Sequence, residues 1–239
     1  MIVLGLDTAT ASSAVALRLA DGATTQARDD PRPGEHPGHA TRLLEMAHGL
    51  LAEAGVSWRD IDRIAVGVGP GAFTGLRVGV ATARGLAQSL SAELVGVSSL
   101  EALASAAQTA EPGCEAILAV IDARRGEVFA AAYGESIETK AVHALAPEDL
   151  PQVLEGAREG RWLAVGDGAL RYPDAIEALG LPSPPADSPL HRVSAAAICE
   201  LGVHMQPASG WNEIVPDYRR RPDAELALET AEARRAPRP

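Results

Sequence analysis

Apolar residues come in short runs at the start of the chain. Residues 2–6 end in Asp7, residues 14–19 follow a small polar stretch, and after the Asp21-Gly22 turn residues 24–26 read as an edge strand. Together they predict an antiparallel meander. Residues 30–38, DPRPGEHPG, form a loop by their proline and glycine content. The period then changes from two to 3.6: Ala40, Leu43, Leu44, Ala47, Leu50, Leu51 and Ala54 recur at helical spacing, and Gly55 is placed to stop that helix. A strand over 64–69, the loop GPGAFTG, a helix over 76–90 and a strand over 94–97 complete an α/β layer. The second half opens as the first does: 116–121 ends in Asp122, residues 123–126 turn, and 128–133 returns. Beyond it the pattern predicts a helix after Pro147, a strand over 162–165, a helix over 169–179, the loop LPSPPADSP and a helix over 194–205.

Strand, acid, turn and strand thus occur twice, which favours two related α/β lobes. The expected division is 1–105 for the first lobe and 106–218 for the second, within a boundary region at 103–113. The last helix of the second lobe is a candidate to return to the first. Residues 219–239 carry six arginines and four acids and read as a polar, solvated tail.

The chain has 239 residues, 21 Lys+Arg against 32 Asp+Glu for a charge of −11, and only 3% aromatic residues. Stand-alone nucleic-acid binding is disfavoured, because it needs clustered cations and exposed rings. Cys114 and Cys199 lie far apart with no Cys-x-x-Cys spacing, so neither a zinc knuckle nor a disulfide scaffold is indicated. No apolar window approaches the length of a membrane span, and the N-terminus lacks a basic leader region. A cytoplasmic protein with no membrane association is expected. Lys140 is the only lysine, so there is no Walker loop, and Schiff-base chemistry would rest on that one residue.

Gly67-Val68-Gly69-Pro70-Gly71-Ala72-Phe73-Thr74-Gly75, between a strand and a helix, is the strongest local signal. Its glycines suit either an anion site at a helix N-terminus or close packing of a tight turn. A dinucleotide fingerprint fails on context, since Glu93 precedes the next strand where the ribose acid should follow it. The helix over 76–90 has an apolar face and, opposite it, Val78, Ala81, Thr82, Gly85 and Ser89, all small or modest in size. Such a surface accepts a second helix at short distance, from a partner or from the other lobe. The helix before it carries Leu43, Met46 and Leu50 on the rim of its apolar arc. Glu35, His36 and His39 invite a metal reading, though the loop gives the imidazoles no common face; a helix-start or interface role for His39 is the alternative. Asp7 and Asp122, at strand ends, suit either a bound cation or water, or the satisfaction of turn amides.

Several of these stretches resemble the TsaB (YeaZ) family. They are Val3-Leu4-Gly5-Leu6-Asp7-Thr8, His39-x-x-Arg42-Leu43-Leu44, Ala65 through Gly79, Val95-Gly96-Val97-Ser98-Ser99-Leu100, Ile121 through Val128, Val165-Gly166-Asp167-Gly168 and Val215-Pro216-Asp217-Tyr218-Arg219-Arg220. The resemblance implies a two-lobed actin/Hsp70/hexokinase-like (ASKHA) α/β fold in which a ribonuclease H-like motif is duplicated. It further implies a noncatalytic dimerisation and scaffold subunit for threonylcarbamoyl transfer to tRNA adenosine. The direct partner would be TsaD, with TsaE joining through the complex, a homodimer when TsaD is absent, and tRNA met only indirectly. Implied partner-binding residues are His39, Arg42, Leu43, Met46, Leu50, Val78, Ala81, Thr82, Gly85 and Ser89. Gly69, Pro70, Gly71, Phe73, Thr74, Gly75 and Arg77 would position the interface helix. Asp7 would mark a vestigial nucleotide site, because Ala9 stands where nucleotide-binding relatives of this fold have the glycine of Asp-x-Gly. No cofactor and no metal are expected. The alternative is a metal-dependent, glycoprotease-like hydrolase using Glu35, His36 and His39.

Overall fold

A computed structural model describes residues 1–32, 35, 37–134, 144–155 and 160–219. Strands β1 (Val3–Asp7), β2 (Ser13–Arg18) and β3 (Thr24–Asp29) form the expected meander, and helix α1 (His39–Ala54) ends at Gly55 in the left-handed conformation, φ 66°. Strand β4 (Arg63–Gly69), helix α2 (Phe73–Leu90) and strand β5 (Glu93–Ser98) follow, with β4 and β5 running parallel to β1. The first sheet has the order β3-β2-β1-β4-β5. Helix α3 (Ser99–Ala110) leads to β6 (Ala116–Arg124), β7 (Glu127–Gly134), β8 (Ala144–Leu145) and β9 (Trp162–Val165), whose sheet has the order β8-β7-β6-β9. Helices α4 (Asp167–Arg171), α5 (Pro173–Ala178) and α6 (Ala195–His204) are the remaining α-helices among the described residues.

Alternation along the strands sends side chains into separate layers. Leu4 and Leu6 of β1 join Val15, Leu17, Ile64 and Val66 under α1 and α2. Val3, Ala16, Ala65 and Val97 face the other way, onto α3 and α6, which also meet Ile117, Ala119 and Phe129 of the second sheet. Leu118, Val120 and Ala130 pack on the far side against α4, α5 and the 3-10 turn Pro147–Leu154. Two helices therefore fill the space between two sheets. Small residues make that approach feasible: a Cβ on Gly202 would lie 2.7 Å from Ala65 Cβ, and one on Gly5 2.6 Å from Cys199 Sγ.

The two-lobed α/β class is as expected, with several differences in detail. Residues 103–113, expected to hold the boundary, are largely the helix α3. Leu100, Ala102, Leu103, Ala104 and Ala107 are buried in it, and Glu101, Ser105, Gln108 and Thr109 recur at helical spacing on its other side, so its period was readable from the sequence. The single helix expected over 169–179 is α4 and α5, interrupted at Tyr172 because Pro173 has no amide to continue the ladder. The helix after Pro147 is a 3-10 turn with Pro151 inside it. Helix α2 starts at Phe73, inside the expected loop. Helix α6 does pack on β1 and β2 of the first sheet.

Candidate functional site

Strand β1 ends in an enclosed carboxylate. Asp7 Oδ1 accepts from the Ala9 amide at 2.9 Å, and Oδ2 accepts from the Ser99 hydroxyl at 2.7 Å. Burial pushes its pKa up, with these two bonds opposing the shift. A Cβ at Gly67 would overlap Oδ2, so β4 also closes on this side chain. Asp122 repeats the device in the second lobe: its Oδ1 accepts from the Arg124 amide at 2.8 Å, and its Oδ2 pairs with Arg124 at 3.2 Å and Arg171 at 3.4 Å. Both acids satisfy amides two residues downstream, as turn carboxylates do.

The glycine-rich loop is consumed by packing. Gly69, at φ 105°, turns the chain, and the Ala72 amide donates to Ala9 O at 2.7 Å. Thr8 Oγ1 donates to Gly75 O at 2.7 Å. A Cβ on Gly71 would overlap the Ala9 backbone, one on Gly75 the Thr8 carbonyl, and one on Gly79 the Thr8 hydroxyl. The place where an anion would approach is thus taken by Thr8 and Ala9, while Pro70 has no amide to offer. The loop seats the start of α2 directly on the turn after β1.

His39 opens α1 and is buried. Its Nδ1 lies 2.8 Å from Ser13 Oγ, and its Nε2 would be 3.2 Å from a Cβ at Gly75. Burial pushes its pKa below the ordinary histidine value, with Asp29 opposing, and the ring ties the start of α1 to β2 while lying against Gly75 of α2. His36 lies outside the described residues. Glu35 is exposed and accepts from the Arg32 amide at 3.1 Å. Among the described residues no group of three His, Cys, Asp or Glu side chains is arranged to hold a metal.

Burial divides the expected partner-binding residues. Leu43 and Leu50 are 1% and 6% exposed and belong, with His39, to the chain's own core beneath α1. They sit mid-arc beside Ala47 and Leu51 rather than on a rim. Met46 is half-buried, Arg42 is exposed and bonded to Asp29 and Glu45, and Leu44, not anticipated, is 46% exposed. On α2, Ala81, Gly85 and Ser89 are exposed, and Val78 and Thr82 half-buried. A Cβ at Gly85 would meet nothing within 4 Å. Phe73, Thr74 and Arg77 lie at the first turns of α2, where Arg77 stacks 3.8 Å over the Phe73 ring. Arg84 and Arg77 of α2 hold residues 212–218; the Val215-Pro216-Asp217-Tyr218 pattern was visible in the sequence, its location was not.

The Escherichia coli (strain K12) tRNA threonylcarbamoyladenosine biosynthesis protein TsaB is 39% identical over 190 residues, covering 76% of this chain and 78% of that protein. The chain belongs to the TsaB family. A family model described as TsaD, tRNA N6-adenosine threonylcarbamoyltransferase, also matches residues 35–153, the stretch that contains α1, the glycine loop and α2. Among solved structures, YeaZ from Pseudomonas aeruginosa superposes with a TM-score of 0.72 at 29% identity, over 90% of this chain and 100% of that one. An uncharacterized protein with similarity to peptidase YEAZ from Pseudomonas aeruginosa gives 0.74 at 33%, over 92% and 99%. The ROK hexokinase from Thermus thermophilus gives 0.51 at 14%, over 85% and 99%, a likeness of fold alone. Within this TsaB-family fold, the turn after β1 and the loop before α2 are locked together, and the outer face of α2 is open.

Proposed function

We propose that this chain is a noncatalytic subunit of tRNA threonylcarbamoyladenosine biosynthesis that binds TsaD through the outer faces of α1 and α2, supporting threonylcarbamoyl transfer to tRNA. The observation that carries this reading is the exposed row Ala81, Gly85 and Ser89, flanked by Val78 and Thr82. A helix this smooth gives a partner helix close approach with little side-chain ordering cost. The TsaD family-model match supports a partner of related fold, since two such chains can pair like face to like face around a pseudo-twofold axis. Without TsaD the same face serves a homodimer, and TsaE joins through the complex. The noncatalytic part is supported by Asp7, whose two oxygens are held by the chain's own donors, and by Ala9 filling the approach to Gly71.

Ala81→Glu and Gly85→Arg place bulk and charge on that row without touching the core. Both variants are expected to fold as the parent does and to lose the host's TsaD in pull-down and size-exclusion experiments. Parental TsaD binding by either would remove this face from the interface. The hydrolase alternative requires a metal; no contact among the described residues favours it, and zinc or iron bound stoichiometrically to the purified protein would reopen it.

A further inference from the structure

After α6 the chain crosses the edge of the first sheet and finishes beside the start of α2. The Ala208 amide donates to Leu94 O at 2.9 Å, the Trp211 indole to Ala92 O at 3.3 Å, and the Asp217 amide to Val68 O at 2.7 Å. The only regular structure in this crossing is the 3-10 turn Trp211–Glu213, so its backbone carbonyls need partners from elsewhere. Helix α2 supplies two: Arg84 Nε donates to Ile214 O and Nη2 to Asn212 O, both at 2.8 Å. Two helical turns earlier, Arg77 Nε donates to the Tyr218 hydroxyl at 2.9 Å, and the Phe73 and Tyr218 rings lie 5.0 Å apart. Ile214 packs into the core under α2, where a Cβ on Gly96 would lie 3.3 Å from it.

These contacts meet α2 from the side, between its buried and its open faces. In its first half Leu76 and Val80 are buried beside Gly75 and Gly79, but from Ala83 on the fully buried residues are only Ala83 and Ala87, which allow close seating and offer few knobs to lock rotation about the helix axis. The open face is small as well. A guanidinium spanning two carbonyls fixes both distance and direction, so the Arg84 fork and the Arg77 stack hold the helix at two heights.

We propose that residues 211–218 are a brace that sets the rotation of α2, and so the register of the Ala81, Gly85 and Ser89 row, for TsaD docking, with Arg84 and Arg77 as its positioning residues. The proposal rests on the partner reading of that row. It is tested in the full chain with Arg84→Ala, Arg84→Lys and, as a control far from α2, Val193→Ala in the core between the sheets. The readouts are the Kd for the host's TsaD, the melting temperature, and hydrogen exchange along α2. Arg84→Ala is expected to weaken binding about tenfold and to speed exchange in α2. Arg84→Lys, which keeps the charge but not the fork, is expected to behave similarly. Val193→Ala should lower the melting temperature and leave Kd unchanged, because the folded fraction stays near one. Parental Kd in Arg84→Ala or Arg84→Lys overturns the brace, as does equal weakening in Val193→Ala. If Gly85→Arg abolishes binding while Arg84→Ala is silent, the brace alone falls; if Gly85→Arg is silent too, the partner reading fails.

Discussion

Asp167, the first residue of α4, keeps a carboxyl at the inner end of the second sheet. Burial pushes its pKa up to about 6, with the charge of Asp122 adding to the shift and the bond from the Asp122 amide to Oδ1, 3.0 Å, opposing it. The ordinary aspartate value applies in the unfolded chain, so between about pH 4 and 6 the folded state binds more protons than the unfolded one. Stability then falls as pH rises through that window, and the site's cost is complete above pH 6. Asp167→Asn retains an oxygen acceptor for the Asp122 amide and has no charge to bury. Relative to the parent it should gain stability from pH 4 to pH 7, by about 3 kcal/mol at most. Paired urea titrations at these pH values check it; a constant difference between the two proteins would mean that the Asp167 charge is well solvated. At Asp7 the same logic was partly legible: an acid ending a strand before small polar residues was open to reading as a turn acceptor. The lock from Gly67 and Ser99 was not legible, because it joins residues from three elements.

At the scale of elements, Arg63 shows how a strand residue finishes a helix. Helix α6 ends at Met205 in extended conformation, without the left-handed residue that closes α1. Arg63 Nη1 takes its place, donating to the carbonyls of Gly202, Val203 and Met205 at 2.6, 3.1 and 3.0 Å, while Nε and Nη2 hold Glu93 at 2.8 and 2.6 Å. Arg63→Met keeps the apolar stem and abandons three helix-end carbonyls and a carboxylate, so a loss of roughly 2–4 kcal/mol in chemical denaturation is expected. A loss under about 0.5 kcal/mol would show that water replaces the guanidinium at no cost. Legibility also differed by element. Helices α1 and α2 each bury one side, and their 3.6 period stood out. Helix α3 lies between two sheets and carries the same period, with Glu101, Ser105, Gln108 and Thr109 on one side, but its many alanines blur the contrast between its faces. The brace has no period at all, since irregular backbone is specified by its partners, here Arg84 and Arg77, and those are distant in sequence. The open row on α2 could be read because smallness is visible residue by residue, whereas the burial of Leu43 and Leu50 depended on where α1 meets the sheet.

Over the whole molecule, charge and proposed role pull in opposite directions. A chain working on tRNA would be expected to be basic, yet this one carries −11, and its mean field repels a phosphate backbone. Many arginines in the described residues are already committed: Arg18 to Glu200, Arg42 to Asp29 and Glu45, Arg63 to Glu93, and both Arg124 and Arg171 to Asp122. Arg77 and Arg84 are engaged with the brace. Such pairs leave little positive potential beyond the Debye length of about 8 Å at physiological salt. The arginines of residues 219–239 are interspersed with Asp223, Glu225, Glu229 and Glu232, which weakens that stretch as a phosphate-binding patch. The conflict resolves if TsaD makes most of the RNA contact and this chain acts through TsaD. The isolated protein is therefore expected to bind tRNA negligibly at about 150 mM salt, with clear binding once TsaD is added. Fluorescence anisotropy across a salt series checks this: tight binding by the chain alone, with log Kobs falling by about 0.9 per phosphate contact against log salt, would refute it. Loss of that binding on truncation after Arg219 would then assign the contact to the arginines of the tail.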